Sequence, residues 1–194
     1  MIEKMAVKLV QQLEKEQLIS RDTGEYYEYA LITLIERFFT IGTIVLIAVI
    51  HKRIISTMCF LLFFLSLRKR TGGYHADKFW KCYFATILTY IVVTEMAEIF
   101  LEYSMLLYGL LFFSIIAIEL IGTVNHPNMD MDAAELRESK KASRLLTLLE
   151  GIIIQLSIWL GINKIYIVYM SMGVILCAIL ICIAKILKQE VTLK

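Results

Sequence analysis

Hydrophobic positions gather into six runs along the chain, roughly 28–50, 54–67, 82–101, 105–124, 145–161 and 165–187, parted by short stretches that hold most of the charge. A bilayer core about 30 Å thick needs ~20 helical residues to cross it. The first, third, fourth and sixth runs meet that length, and the fifth sits near its lower limit. The second holds 14 residues, which at the helical rise reach only about 21 Å. It therefore needs a thinned or partly re-entrant passage, or flanking residues whose charged ends snorkel to the surface. The pattern predicts an all-α fold, a polytopic membrane helical bundle over 28–187 with about six transmembrane or partly re-entrant helices. Four full spans with two shorter inserts is the rival count.

Residues 1–27 precede the first run. Ile2, Met5, Ala6, Leu9 and Leu13 share one helical face, with Glu3, Lys4, Lys8 and Glu14 elsewhere, which predicts an amphipathic N-terminal helix. It has three candidate resting places: the membrane surface, a partner, or the protein's own bundle. No continuous apolar core of signal-peptide length is present there, so a cleavable signal is not expected.

Composition strengthens the membrane reading. Apolar residues make up 59% of the chain and mean hydropathy is +0.71, against roughly 45–50% apolar for a soluble globule. Net charge is only +2, so no general basic field points to nucleic acid. Sixteen of the twenty Lys and Arg residues fall in 1–27, 68–81, 125–144 and the C-terminal stretch. That asymmetry predicts cytosolic N- and C-termini, a cytosolic loop over 68–82, a second over 125–144 and a cytosolic tail at 188–194. His51, beside Lys52 and Arg53, then lies on the opposite side, away from the chemistry. Cys59, Cys177 and Cys182 sit inside apolar runs and are expected to be free, as small hydrophobes. No Cys-x-x-Cys or His/Cys grouping with zinc spacing occurs, so no metal site is expected.

Cys82 is different, because it follows the polar stretch Arg68-Lys-Arg-Thr-Gly-Gly-Tyr-His-Ala-Asp-Lys-Phe-Trp-Lys-Cys82. His75 and Cys82 are seven positions apart. On one straight helix they would share a face yet stand about 10.5 Å apart along the axis, too far for a thiolate–imidazole pair. A partnership requires His75 to lie in a loop that folds back over the next helix. Gly72 and Gly73 permit the sharp bend, and Asp77 suits the cap of a helix starting near Lys78. Cys82 then lies about one turn inside, where the helix dipole and Arg70, Lys78 or Lys81 favour thiolate. Backbone amides around Gly72 and Gly73 and the Arg70 guanidinium are the candidate oxyanion donors. Asp77 could instead orient His75, and Thr86, on the helical face of Cys82, is a candidate substrate contact or simply packs. The bland reading makes His75 a solvated interfacial residue and Cys82 a helix packer.

At these residues the sequence resembles the accessory gene regulator B (AgrB-like) family of membrane cysteine endopeptidases in bacterial quorum sensing. Arg70, Gly72, Gly73, His75, Ala76 and Cys82 match R-x-G-G-x-H-A-x6-C. Chain length, the amphipathic N-terminus and the polar 125–144 segment before the last two runs also agree. The resemblance implies catalytic His75 and Cys82, without cofactor. Cys82 would attack a backbone carbonyl of an AgrD-like signal peptide precursor, with His75 as general base and then acid. An internal thiol or hydroxyl of the peptide would displace the thioester and close a thiolactone or lactone autoinducing peptide. It also implies a multi-pass protein of the bacterial cell membrane, in contact with lipid and acting as a homodimer.

Ionisable groups inside apolar runs are further candidates. Arg37 is expected to pair with Glu95, Glu98 or Glu119, or to meet a precursor carboxylate. Glu36 is a candidate support for the catalytic loop. His126, ahead of Pro127, is a candidate substrate-binding or supporting residue, with a solvated helix stop as the alternative. A peptide exporter without proteolytic activity and a non-catalytic membrane scaffold are the rival functions.

Overall fold

The computed structural model describes residues 2–16, 18–20, 24–72, 79–125 and 131–188, apart from the side chains of 2–5, 25, 26, 29 and 79. Its helices are α1 (Ile2–Lys15), α2 (Gly24–Ile50), α3 (Ile54–Thr71), α4 (Phe79–Glu102), α5 (Ser104–Ile121), α6 (Ala133–Trp159) and α7 (Lys164–Ile186). The helical membrane bundle expected from the sequence is the architecture observed. Among the described residues five stretches are long and apolar enough to cross a bilayer: Ala30–Ile50, Trp80–Glu102, Ser104–Ile121, Ala133–Trp159 and Lys164–Ile186. The short second run forms α3, which reaches 18 residues by taking in Arg68–Thr71. That length is about 27 Å, so the flanking polar residues extend the run toward membrane thickness.

The bundle is built around α7. Its apolar window has a mean hydropathy of 2.7 and is 72% buried, against 11% for α2. A helix that is apolar on every side belongs at the centre, and α3, α4, α5 and α6 all pack on it. Contact with α3 is close at Gly173, where an added Cβ would stand 3.0 Å from the Phe64 nitrogen and 3.1 Å from the Phe60 carbonyl oxygen. A small residue there lets the two backbones approach. One turn further, Cys177 Sγ donates to the Phe64 carbonyl at 3.4 Å.

Polar contacts fasten the end of the bundle where α3 starts. The Thr57 and Tyr90 hydroxyls meet at 2.6 Å inside the core. Arg53 pairs with Glu98 and reaches the Tyr169 hydroxyl at 3.4 Å. Together these join the start of α3 to α4 and α7. Outward-facing side chains such as Leu34, Phe38, Phe112, Phe113 and Trp159 remain exposed, a surface suited to lipid rather than water. The amphipathic α1 rests on α2. It does so through Ala6 and Val10, and Leu9 of the expected apolar face stays exposed.

Two boundaries differ from the sequence reading. Residues 68–71, expected in the polar loop, continue α3, whereas the opening of α4 at Phe79 is where a start near Lys78 was expected. The helix expected over 145–161 begins at Ala133, far inside the 125–144 segment. Its start is fixed by a capping box: Asp132 accepts from the Ala134 and Glu135 amides at 2.7 and 2.8 Å, and Glu135 accepts from the Asp132 amide at 3.1 Å. The polar opening turns of α6 simply precede its membrane portion.

Candidate active site

Cys82 is the fourth residue of α4, half-buried in the first turn. A helix starting at Phe79 agrees with the start expected near Lys78. Backbone N–H groups of a first turn lack intrahelical acceptors and favour negative charge. The carbonyl of Cys82 accepts from Thr86 Oγ1 at 2.8 Å, so the Thr86 hydroxyl serves the backbone of this turn. Trp80, Tyr83 and Phe84 pack around the same turn, Tyr83 edge-on to both neighbours with centroids 6.0 and 5.5 Å away. Such aromatic clusters suit the membrane–water boundary. The Tyr83 hydroxyl meets Thr43 Oγ1 at 3.0 Å, which fixes this turn of α4 against α2.

The other end of the motif is held by a knot of backbone bonds. The Arg70 carbonyl accepts from both Thr123 Oγ1 at 2.9 Å and Ser139 Oγ at 2.8 Å. The Thr71 carbonyl accepts from the Val124 amide at 3.0 Å, part of an isolated bridge between Gly72 and Val124. Arg68 Nη1 donates to the Gly72 carbonyl. Gly72 has φ 65° and ψ −134°, a conformation that side chains with a Cβ resist. The bend expected of this glycine is therefore present. Asn125, fully buried, donates to the Met131 carbonyl at 2.9 Å and accepts from the Met131 amide at 3.1 Å. Both connections, the one after α3 and the one after α5, are thus tied into one end of the bundle beside the opening turns of α6.

Among the expected site residues, Gly73, His75, Asp77 and His126 lie outside the described residues, and with them the contact between His75 and Cys82. Arg70 contributes its carbonyl to the knot while its side chain is exposed. Arg37 is exposed and makes no ion pair with Glu95, Glu98 or Glu119 among the described residues. Glu98 is engaged by Arg53 instead, because the α2–α3 turn brings that arginine to the end of α4. Glu36 is half-buried, and its carbonyl accepts from Thr40 Oγ1 at 2.9 Å. All four cysteines are free. Among the described residues no three His, Cys, Asp or Glu side chains gather as metal ligands would.

Three further participants escaped the sequence reading. Thr123 and Ser139 hold the Arg70 carbonyl, and nothing in their spacing from the motif signals it. Glu150 is buried in α6, where Oε1 accepts from Ser66 Oγ at 2.6 Å and Oε2 has no partner among the described residues. A lone carboxylate inside an apolar run was the available signal for it.

A protein-family model, accessory gene regulator B, matches residues 3–183. No curated protein and no solved structure shows a significant match. The match takes in the helical membrane bundle, the motif and the α6 segment that braces it, and it supports a role in quorum-sensing peptide processing. The chain belongs to the accessory gene regulator B family.

Proposed function

We propose that the protein is a membrane cysteine endopeptidase that cleaves and cyclises a signal peptide precursor. The carrying observation is the position of Cys82: a half-buried thiol in a helix first turn, across a short connection from a glycine bend fastened on three sides. In this reading Cys82 Sγ attacks a precursor carbonyl while His75 takes the thiol proton and passes it to the departing amine. The C-terminal part of the precursor leaves and a thioester remains on Cys82. A thiol or hydroxyl of the bound peptide attacks that carbonyl, the ring closes, and Cys82 leaves as thiol. Exchange of one thioester for another changes little free energy, so the site's task is to hold the peptide nucleophile near and keep water out. The basic residues concentrated at this end support a cytosolic position for it in this reading, in which the protein acts as a homodimer in the lipid bilayer.

Protein reconstituted in lipid with a candidate precursor tests the reading. Cys82→Ala abolishes cleavage and cyclisation, and His75→Ala does the same. A Cys82→Ala protein that still cleaves refutes it. The exporter reading draws on the buried polar stripe of α6, Ser139, Ser143, Thr147, Glu150 and Ser157. It predicts a peptide flux that survives Cys82→Ala and is lost in Glu150→Ala.

A further inference from the structure

We propose that Tyr83 is a positioning residue for the reaction proposed above, on which this inference rests: its hydroxyl, bonded to Thr43 Oγ1 at 3.0 Å, holds the Cys82 turn of α4 in register with α2. Tyr83 follows Cys82 directly in α4, so the two side chains point about 100° apart. Tyr83 therefore acts on the thiol through the backbone of the turn. That backbone is firm, because the Cys82 carbonyl accepts from Thr86 Oγ1 at 2.8 Å and the Tyr83 ring stands edge-on to both Trp80 and Phe84. The bond also has a direction. Thr43 Oγ1 donates to the Phe39 carbonyl at 2.9 Å, which leaves its lone pairs to accept while the Tyr83 hydroxyl donates. Two bonds in series thus link the Cys82 turn to the backbone of α2.

The weak hold of the bundle on α2 gives this link its importance. The apolar window of α2 is 11% buried, against 28% for α4, and the helix packs on α1, α3 and α4. Ile44 and Ala48 are its buried apolar side chains. Lipid tails are as apolar as these groups, so no hydrophobic force presses α2 onto its neighbours, and apolar contact alone sets its depth loosely. A hydrogen bond is short-ranged and directional, so it fixes the depth of one helix against another. At the far end of the motif, the Arg70 and Thr71 carbonyls are fastened to Thr123, Ser139 and Val124. These two anchors, one beside Gly72 and one beside Cys82, set the separation between the glycine bend and the nucleophile. A displacement of about 1 Å at a reacting group costs up to about a hundredfold in rate, so one hydroxyl here bears on turnover.

The test uses the full-length protein in lipid nanodiscs and two readouts. Alkylation by N-ethylmaleimide is followed at each cysteine peptide by mass spectrometry, and cleavage of a candidate precursor gives kcat and KM. Tyr83→Phe frees the turn, so Cys82 is alkylated about threefold faster, the change that one interhelical hydrogen bond in lipid supports. In the same variant kcat falls about three- to tenfold while KM stays within about twofold of wild type. Thr43→Val does the same, and Tyr83→Phe/Thr43→Val is no worse than either single change. Thr43→Ser keeps the acceptor and restores both readouts. The rates at Cys59 and Cys182 are the same in every variant. Unchanged alkylation of Cys82, or an unchanged kcat, in Tyr83→Phe overturns the proposal. So does an equal rise at Cys59 and Cys182, which would mark a loosened bundle, or additive losses in the double variant. A loss confined to KM overturns it as well, by making Tyr83 a substrate contact. Alkylation needs no peptide, so a protein that shows the Cys82 effect and cleaves nothing would refute the peptidase reading while leaving the anchoring of the turn standing.

Discussion

At the scale of single residues, the polar groups inside the bundle behave as constraints. Glu150 and Ser66 meet at 2.6 Å in the interface of α6 with α3. Removing one member of a buried pair leaves the other unsatisfied, at a cost of about 1–3 kcal/mol. Ser66→Ala is therefore expected to lower thermal stability in detergent measurably, and the double variant Ser66→Ala/Glu150→Leu to regain most of the loss. A double variant less stable than Ser66→Ala would show that the pair is not what the carboxylate is there to serve. Asn125 is a second such residue. Its amide holds both backbone polar groups of Met131, and no substitute of similar size offers donor and acceptor together. Neither Asn125 nor Glu150 could be assigned a partner from the sequence, because each bonds across a connection or a helix interface that spacing alone does not reveal.

At the scale of elements, the hydrophobic runs were legible because membrane helices satisfy their own backbone and show their length directly in composition. The starts of α3, α4, α5 and α7 fall within a few residues of the runs. The α6 start was not legible from hydropathy, since its first turns are polar; the Asp132–Glu135 capping box was the signal that hydropathy passed over. The knot between α3 and α6 was likewise hidden, because hydroxyl-to-carbonyl bonds leave no periodic trace. Thr123→Val/Ser139→Ala takes both hydroxyl donors from the Arg70 carbonyl. The expected result is a kcat about tenfold lower, roughly 1.4 kcal/mol, with KM changed less than about twofold. A loss confined to KM would place these residues in substrate binding instead. Gly173→Val drives a side chain into the α3 backbone. Overpacking of this kind costs about 1–3 kcal/mol, to be read as a lower melting temperature and a reduced folded yield.

At the scale of the whole molecule, a central α7 braced by α3, α4, α5 and α6 leaves α2 on the flank, joined to α4 by the Thr43–Tyr83 contact. The motif end, like the end where α3 starts, is polar and hydrogen-bonded in a structure whose sides are apolar. In the proposed reading the charge distribution along the chain turns the motif end toward the cytosol. Membrane-impermeant maleimide applied to intact cells is expected to label Asn163→Cys and to spare Arg144→Cys, and to label both after lysis. Labelling of Arg144→Cys alone in intact cells would invert the topology and move the proposed chemistry outside.

The most direct measurement is the search for the acyl-enzyme itself. Reconstituted protein is mixed with precursor, quenched in acid within the first turnover and mapped by mass spectrometry. The N-terminal precursor fragment is expected on Cys82, released by hydroxylamine and absent from Cys82→Ala. Cleaved peptide without an adduct on Cys82, or an adduct on another residue, would contradict it.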